Sequence, residues 1–241
     1  MDLSIVVPAF NEAERLPQTL PQFAEWMEGT GLEVELLVVD DGSTDETASV
    51  VKAFAQGEPR VRLLSYQPNR GKGHAVGVGV AAAQGREILF SDADLSMPLS
   101  EVSKLRQALQ EAEIAIASRV QHTQQDAPPR YRRIMGRLFN AWVQLVAIKG
   151  IQDTQCGFKL FRADVAKKLF SLRKLDRFAF DVELLYLAQR LAMRVVEVPV
   201  IWSHSGGSKV MPLRDASEMF VAVLRIRKMH RRIDLGSFRS G

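Results

Sequence analysis

Asp92 and Asp94 stand either side of one small residue, Ala93, directly after the apolar run Glu87 to Ser91. Two carboxylates at that spacing offer hard oxygen ligands to Mg²⁺ or Mn²⁺, ions that keep positions open for the oxygens of a diphosphate. A cation held this way neutralises charge developing on a phosphorylated leaving group. The same two residues would also serve simply to cap the helix that follows. Their surroundings favour the ligand reading, because Asp40-Asp41-Gly42-Ser43 ends a second apolar run and Pro8-Ala9-Phe10-Asn11-Glu12 ends a third. Asn69-Arg70-Gly71-Lys72-Gly73 adds two glycines that let backbone approach a ligand, and a lysine able to meet a phosphate at a helix N-terminus. It has neither the Walker spacing nor the G-x-G-x-x-G pattern, which argues against a P-loop and against a dinucleotide fold.

These turns need elements to hold them. Leu3 to Pro8, Glu35 to Val39, Val61 to Ser65, Glu87 to Ser91 and Ile114 to Ser118 are short apolar runs, as in strands buried on both faces. Between them lie helical patterns: Leu16, Leu20, Phe23 and Met27 spaced by three and four, then Lys72 to Ala83. Ser43-Thr44-Asp45-Glu46 reads as a capping box, predicting a helix from there to about Gly57, and Ser96 with Pro98 opens a fourth helix. Strands alternating with helices predict a right-handed, parallel α/β sheet, with ligands bound beyond the carboxyl ends of its strands. After residue 119 the chain reads as a polar loop (Gln121 to Pro129), a helix (Tyr131 to Lys149) and an irregular segment around a glycine (Asp153 to Phe161). A helix (Asp181 to Arg190), a strand (Arg194 to Ile201), a glycine- and serine-rich loop (Ser203 to Ser208) and a last helix (Leu213 to Arg232) with a basic end follow.

The chain has 241 residues, 46% apolar and 25% charged, which suits one α/β domain and excludes disorder or collagen-like repetition. Its single cysteine, Cys156, forms no internal disulfide, so a reducing compartment is expected; it reads as a packed side chain rather than a nucleophile. No apolar run approaches the roughly 18 residues of a membrane span. Asp2 stands where a signal peptide would be basic, and Pro8 ends a short apolar run, so a soluble cytoplasmic protein is expected. The net charge of +4 conceals an asymmetry: residues 1–120 carry 10 Lys+Arg against 18 Asp+Glu, and the remainder 22 against 10. A basic half suits a phosphorylated ligand, a membrane surface or nucleic acid, and charge alone does not choose among them.

In combination, VVPAFNE (Val6 to Glu12), VVDDGSTDET (Val38 to Thr47), NRGKG (Asn69 to Gly73) and DADLS (Asp92 to Ser96) resemble the family 2 glycosyltransferases of GT-A fold. DTQCGFKLF (Asp153 to Phe161), FAFDVELL (Phe178 to Leu185) and GGSKV (Gly206 to Val210) resemble the dolichyl-phosphate β-glucosyltransferases and their bacterial polyprenyl-phosphate relatives. The resemblance implies one GT-A domain over residues 1–241, with a nucleotide-sugar and metal half (1–118), an acceptor half (119–211) and a basic C-terminal helix (212–232). It implies a nucleotide pocket of Pro8, Phe10, Glu12 and Asp41, with Asp41 accepting from uracil or ribose and Lys72 close by. Asp92 and Asp94 would hold the metal, with Ser96 near it where related mannosyltransferases have Gln. Arg119 and Arg133 would bind the acceptor phosphate, Asp153 would orient the acceptor, shape the site or form a structural turn, and Ser208 and Lys209 would lie on a loop closing over the donor. Eukaryotic members carry an N-terminal anchor and this chain begins at the first strand, so peripheral attachment is expected.

The chemistry is consistent with those roles. A phosphate monoester is largely dianionic at neutral pH, since its second pKa is about 6, and so needs cationic positioning more than a general base. The expected activity is inverting transfer of glucose from UDP-glucose to a polyprenyl phosphate at the cytoplasmic membrane face, with peripheral contact to anionic lipid and without nucleic acid. GDP-mannose is the alternative donor. A sugar-nucleotide pyrophosphorylase would need a glycine-rich loop where Ala9-Phe10-Asn11-Glu12 stands. A non-catalytic binder of anionic lipid or nucleic acid would leave the acidic turns without a purpose.

Overall fold

The computed structural model describes residues 1–119, 140–202 and 212–232. The five expected strands form as Leu3–Ala9 (β1), Val34–Asp41 (β2), Val61–Tyr66 (β3), Glu87–Ser91 (β4) and Ile114–Ser118 (β5), joined by Phe158–Arg162 (β6) and Val195–Pro199 (β7). They make one sheet in the order β3-β2-β1-β4-β6-β5-β7. Neighbouring strands are parallel except at β6, which runs antiparallel to both β4 and β5. The sheet is therefore mixed, and the irregular reading of Asp153 to Phe161 fails over its last residues. Lys159 interrupts the apolar run Phe158-Lys159-Leu160-Phe161, so the strand is concealed until the partner of that lysine is known.

Side chains alternate across the strands with period two. Leu3, Ile5, Val7, Leu36, Val38, Ala115 and Ala117 face one core, with helices Leu16–Gly29 (α1), Thr47–Gly57 (α2) and Val102–Leu109 (α4) against it. Val6, Leu37, Val39, Ile114 and Ile116 face the other core, covered by Lys72–Ala82 (α3), Ala163–Leu172 (α5), Phe180–Arg190 (α6) and Pro212–Met229 (α7). Both faces are occupied, which is why the strands read as continuous apolar runs.

Two helix starts differ from expectation. Glu46, at the N-cap position of α2, makes no side-chain cap; Asp45 Oδ1 accepts from the Thr47 N–H at 3.0 Å, and the Ser43 hydroxyl accepts from the Asn11 backbone N–H at 2.9 Å, so no capping box forms. The Ser96 N–H donates to Asp94 Oδ1 at 3.0 Å, and Pro98 takes the N-cap position of a 3₁₀ turn, Leu99–Glu101, that precedes α4. The expected loops at Gln121 to Pro129 and Ser203 to Ser208 lie outside the described residues, and of the helix expected at Tyr131 to Lys149, residues 140–146 are helical. Among the described residues no helix is long and apolar enough to cross a membrane.

Candidate active site

Strand order reverses between β1 and β4, the position at which α/β sheets open a crevice. The β1–β4 ladder stops at Val6–Phe90, whereas β1 stays paired with β2 as far as Ala9. Pro8 sits past the last β4 partner, where one edge of the strand is open and a missing N–H is tolerated. Asp92 follows β4 directly, its N–H donating to the Gly157 carbonyl at 3.1 Å. Its Oδ1 lies 2.6 Å from Lys72 Nζ, and a Cβ added at Gly157 would meet Oδ2 at 1.9 Å. Glycine at 157 is thus what leaves room for this carboxylate. Lys72, the first residue of α3, sits at the aspartate pair, with its ammonium 5.0 Å from the Phe90 ring centroid. Burial works against its charge, but Asp92, Asp181 and Asp94 outweigh burial and hold its pKa above the ordinary lysine value.

A second buried pair backs the first. Lys159 is wholly inaccessible, and its ammonium reaches Asp181 Oδ1 and the Cys156 carbonyl, each at 2.5 Å. Lys159, Asp181, Lys72 and Asp92 thus alternate in sign from the core outward. Burial pushes the Asp181 carboxyl above the usual range despite the two lysines. Neither Lys159 nor Asp181 was given a role from sequence, although both lie in the motifs quoted; the signal was a charge inside an otherwise apolar run. Glu183, two residues on, accepts from the N–H groups of Lys174 and Leu175 and bonds His230 Nε2 at 2.6 Å. That fixes the loop whose Asp176 carbonyl accepts from the His74 N–H, in the first turn of α3.

Arg119, directly after β5, and Asp153 are brought together. Arg119 Nε and Nη2 donate to the two oxygens of Asp153 at 2.8 and 2.7 Å, and its backbone N–H adds a third bond at 3.0 Å. Burial disfavours the Arg119 charge, but Asp153 outweighs it, and the same pairing holds the Asp153 carboxyl below its usual range. Among the described residues, two of the five guanidinium N–H groups therefore face Asp153. Asp153 thus holds Arg119 from a turn of its own. Glu197 of β7 accepts from the N–H groups of Gln152 and Asp153, both at 2.8 Å, and fixes the turn that carries the carboxylate. Sequence reasoning passed over Glu197, which looks like an ordinary outward strand residue. Arg119 also lies 6.0 Å from the Trp202 ring centroid.

On the other flank, the Asp41 carboxylate accepts from Tyr66 Oη, Asn69 Nδ2 and the N–H groups of Arg70 and Gly71 at 2.7 to 2.9 Å. A carboxylate offers about four acceptor positions, so Asp41 organises the Asn69 to Gly71 loop, and acceptance from uracil or ribose would have to displace one of these bonds. Asn11, in the left-handed region at φ 55°, accepts from the Thr44 N–H, while the Glu12 N–H donates to Thr47 Oγ1 and the Glu12 carboxylate pairs with Arg15. The first two turns are therefore sewn together, and Phe10, 38% exposed, stands at the junction. Arg133, Ser208 and Lys209 lie outside the described residues.

Among the described residues no three His, Cys, Asp or Glu side chains converge as a metal cluster. Two carboxylates nonetheless fit Mg²⁺ or Mn²⁺, which are held by one or two protein carboxylates plus substrate phosphates and water. The Asp92 side chain is 33% exposed, with Oδ2 seated against Gly157.

The family model described as Glycosyl transferase family 2 matches residues 4–170. The dolichyl-phosphate beta-glucosyltransferase of Drosophila melanogaster is 42% identical over 229 residues, spanning 88% of this chain and 70% of that protein. The proteins of the same name from Homo sapiens (36%) and Saccharomyces cerevisiae (33%) each match 93% of this chain and 74% of their own length. Among solved structures, mannosyl-3-phosphoglycerate synthase from Rubrobacter xylanophilus superposes with a TM-score of 0.70 at 20% identity, over 96% of this chain and 74% of that one. Glucosyl-3-phosphoglycerate synthase from Mycobacterium tuberculosis, crystallised with Mn²⁺, UDP-glucose and glycerol 3-phosphate, gives 0.69 at 20%, over 94% and 79%. The architecture is the GT-A fold, and the chain belongs to glycosyl transferase family 2.

Proposed function

We propose that this glycosyltransferase moves glucose from UDP-glucose to a polyprenyl phosphate of the dolichyl type, with inversion, at the cytoplasmic face of a membrane. The observation that carries the reading is the pairing of an acid–lysine cluster at the switch point (Lys72, Asp92 and Asp94) with Arg119 across the crevice. The dolichyl-phosphate substrate and the glucosyl group are taken from the names of relatives 33–42% identical to the chain.

Asp92 and Asp94 would hold Mg²⁺ or Mn²⁺, which when bound supplies positive charge to the leaving diphosphate. Lys72 adds a fixed cation at the same place. Pro8, Phe10, Glu12 and the loop organised by Asp41 border the nucleotide, with Ser208 and Lys209 as the closing loop. Arg119, aimed by Asp153 and joined by Arg133, positions the acceptor phosphate. One dianionic phosphate oxygen attacks the anomeric carbon from the face opposite the diphosphate. The new C–O bond forms as the bond to UDP breaks, UDP departs with its electron pair, and no protein base is needed. β6 comes from the second half and inserts between β4 and β5, which supports residues 1–241 as one unit of donor half, acceptor half and basic helix. Arg225, Arg227, Lys228, Arg231 and Arg232 would add peripheral attraction to anionic lipid, about 1 kcal/mol for each residue close to the surface.

The test is a donor screen with a short isoprenyl phosphate and Mn²⁺, reading released nucleoside diphosphate. UDP release from UDP-glucose that requires the lipid phosphate is expected. Turnover with GDP-mannose alone would refute the glucose assignment.

A further inference from the structure

Glu183, in the first turn of α6, has no exposed surface, and His230, 1% exposed, directly follows the last residue of α7. A carboxylate in such a place must find its donors within the fold. Glu183 finds them on two other segments. Its Oε1 accepts from the Lys174 N–H at 2.9 Å and meets His230 Nε2 at 2.6 Å, while Oε2 accepts from the Leu175 N–H at 2.8 Å. The His230 N–H continues the helix by donating to the Ile226 carbonyl at 3.1 Å. Lys174 Nζ donates to the Met229 carbonyl at 2.9 Å, a second tie between this loop and the end of α7. The loop so fixed lies against the turn that opens α3. A Cβ added at Gly71 would stand 2.7 Å from the Asp176 carbonyl oxygen, and one added at Gly73 would stand 3.0 Å from that of Leu175. Gly71, at the N-cap position, has no side chain to cap α3, and the Asp176 carbonyl accepts from the His74 N–H at 3.0 Å in its place. Lys72, between those two glycines, carries the ammonium that reaches Asp92 at 2.6 Å. Buried ion pairs are a weak source of stability beside apolar packing, whereas their hydrogen bonds fix backbone direction.

We infer that Glu183 and His230 are positioning residues for the donor side of the crevice. Through the loop 174–176 they set where Lys72 presents its charge, which makes the end of the C-terminal helix part of the transferase machinery. The inference rests on the reading of Lys72 as a cation for the donor diphosphate. Arg119 and Asp153 are held by a different set of bonds, from Glu197 of β7, so the effect falls on the donor and spares the acceptor.

The test uses the full chain and measures UDP affinity with Mn²⁺ by titration calorimetry, the acceptor KM for a short isoprenyl phosphate, and amide hydrogen exchange over residues 71–75. Lys72→Met is the reference and should weaken UDP about ten-fold or more. His230→Phe, which keeps a ring but loses the donor to Glu183, should weaken UDP about five-fold, speed exchange at the His74 N–H and leave the acceptor KM within about two-fold. His230→Gln, whose amide N–H can still reach the carboxylate, should stay within about two-fold of the parent for UDP. If His230→Phe lowers only the thermal midpoint, or if the Phe and Gln variants lose UDP affinity equally, the positioning role is overturned while the reading of Lys72 stands. If Lys72→Met binds UDP as tightly as the parent, that reading fails and the inference with it. Should His230→Phe not fold, Lys174→Met, at an exposed position, removes the loop's bond to the Met229 carbonyl and must by itself weaken UDP about two-fold or more with the acceptor KM unchanged.

Discussion

Gly157→Ala is the sharpest probe of how the acid at the end of β4 is held. The new methyl carbon would lie 1.9 Å from Asp92 Oδ2 and 2.5 Å from its Cγ, so the carboxylate must retreat by about 1.5 Å to reach ordinary contact distance. It cannot simply swing away, because Oδ1 is tied to Lys72 at 2.6 Å and the Asp92 N–H to the Gly157 carbonyl. Misplacement by about 1 Å at a reacting centre can cost about 100-fold in rate, or about 2.7 kcal/mol of transition-state stabilisation. The assay is release of UDP from UDP-glucose in the presence of a short isoprenyl phosphate, with circular dichroism and thermal unfolding checking the fold. A loss near 100-fold in kcat/KM is expected, together with a weaker response to Mn²⁺. Gly57→Ala is the matched control: nothing lies within 4 Å of its added Cβ, and activity should not change. A Gly157→Ala enzyme retaining at least half of its activity would refute the idea that Asp92 must occupy this position.

Asp94→Ala should lower transfer by about 10³-fold while the thermal midpoint stays near that of the parent, since among the described residues the carboxylate accepts a local bond from the Ser96 N–H; a fully active variant removes the metal role. Lys159→Met should destabilise by about 3–5 kcal/mol because it strands Asp181 in the core, and adding Asp181→Leu should recover much of that, as read by chemical denaturation. Glu197→Gln should raise the acceptor KM several-fold more than the donor KM, because it loosens the turn that aims Asp153 at Arg119; equal effects on both substrates would contradict that chain of contacts. Burial pushes the Cys156 thiol up to about 12. The folded state thus keeps a proton that the unfolded chain loses near 8.5, and stability should fall as pH rises from about 9 towards 12. Cys156→Ala should flatten that slope, and at pH 8 the native thiol should resist alkylating reagents until the protein unfolds.

Much of the molecule follows from local pattern alone. The five runs ending at Pro8, Val39, Ser65, Ser91 and Ser118 are strands because continuous apolar stretches suit a sheet covered on both faces, and burial of Leu3, Ile5, Val6 and Val7 satisfies that expectation. The clustering of acidic and glycine-rich turns at strand ends was equally visible, since it needs only element order and the handedness of crossovers. What chain order could not supply was the partner of each charge. Lys159 and Asp181 are 22 residues apart, Arg119 and Asp153 are 34 apart, and Asp153 and Glu197 are 44 apart. A carboxylate or guanidinium read alone looks available for substrate, whereas desolvation obliges a buried one to find a counter-charge within the fold. Antiparallel β6 is the common cause. By entering between β4 and β5 it carries Gly157 to Asp92 and Lys159 to Asp181, and only the closed sheet determines which acids remain open to a ligand.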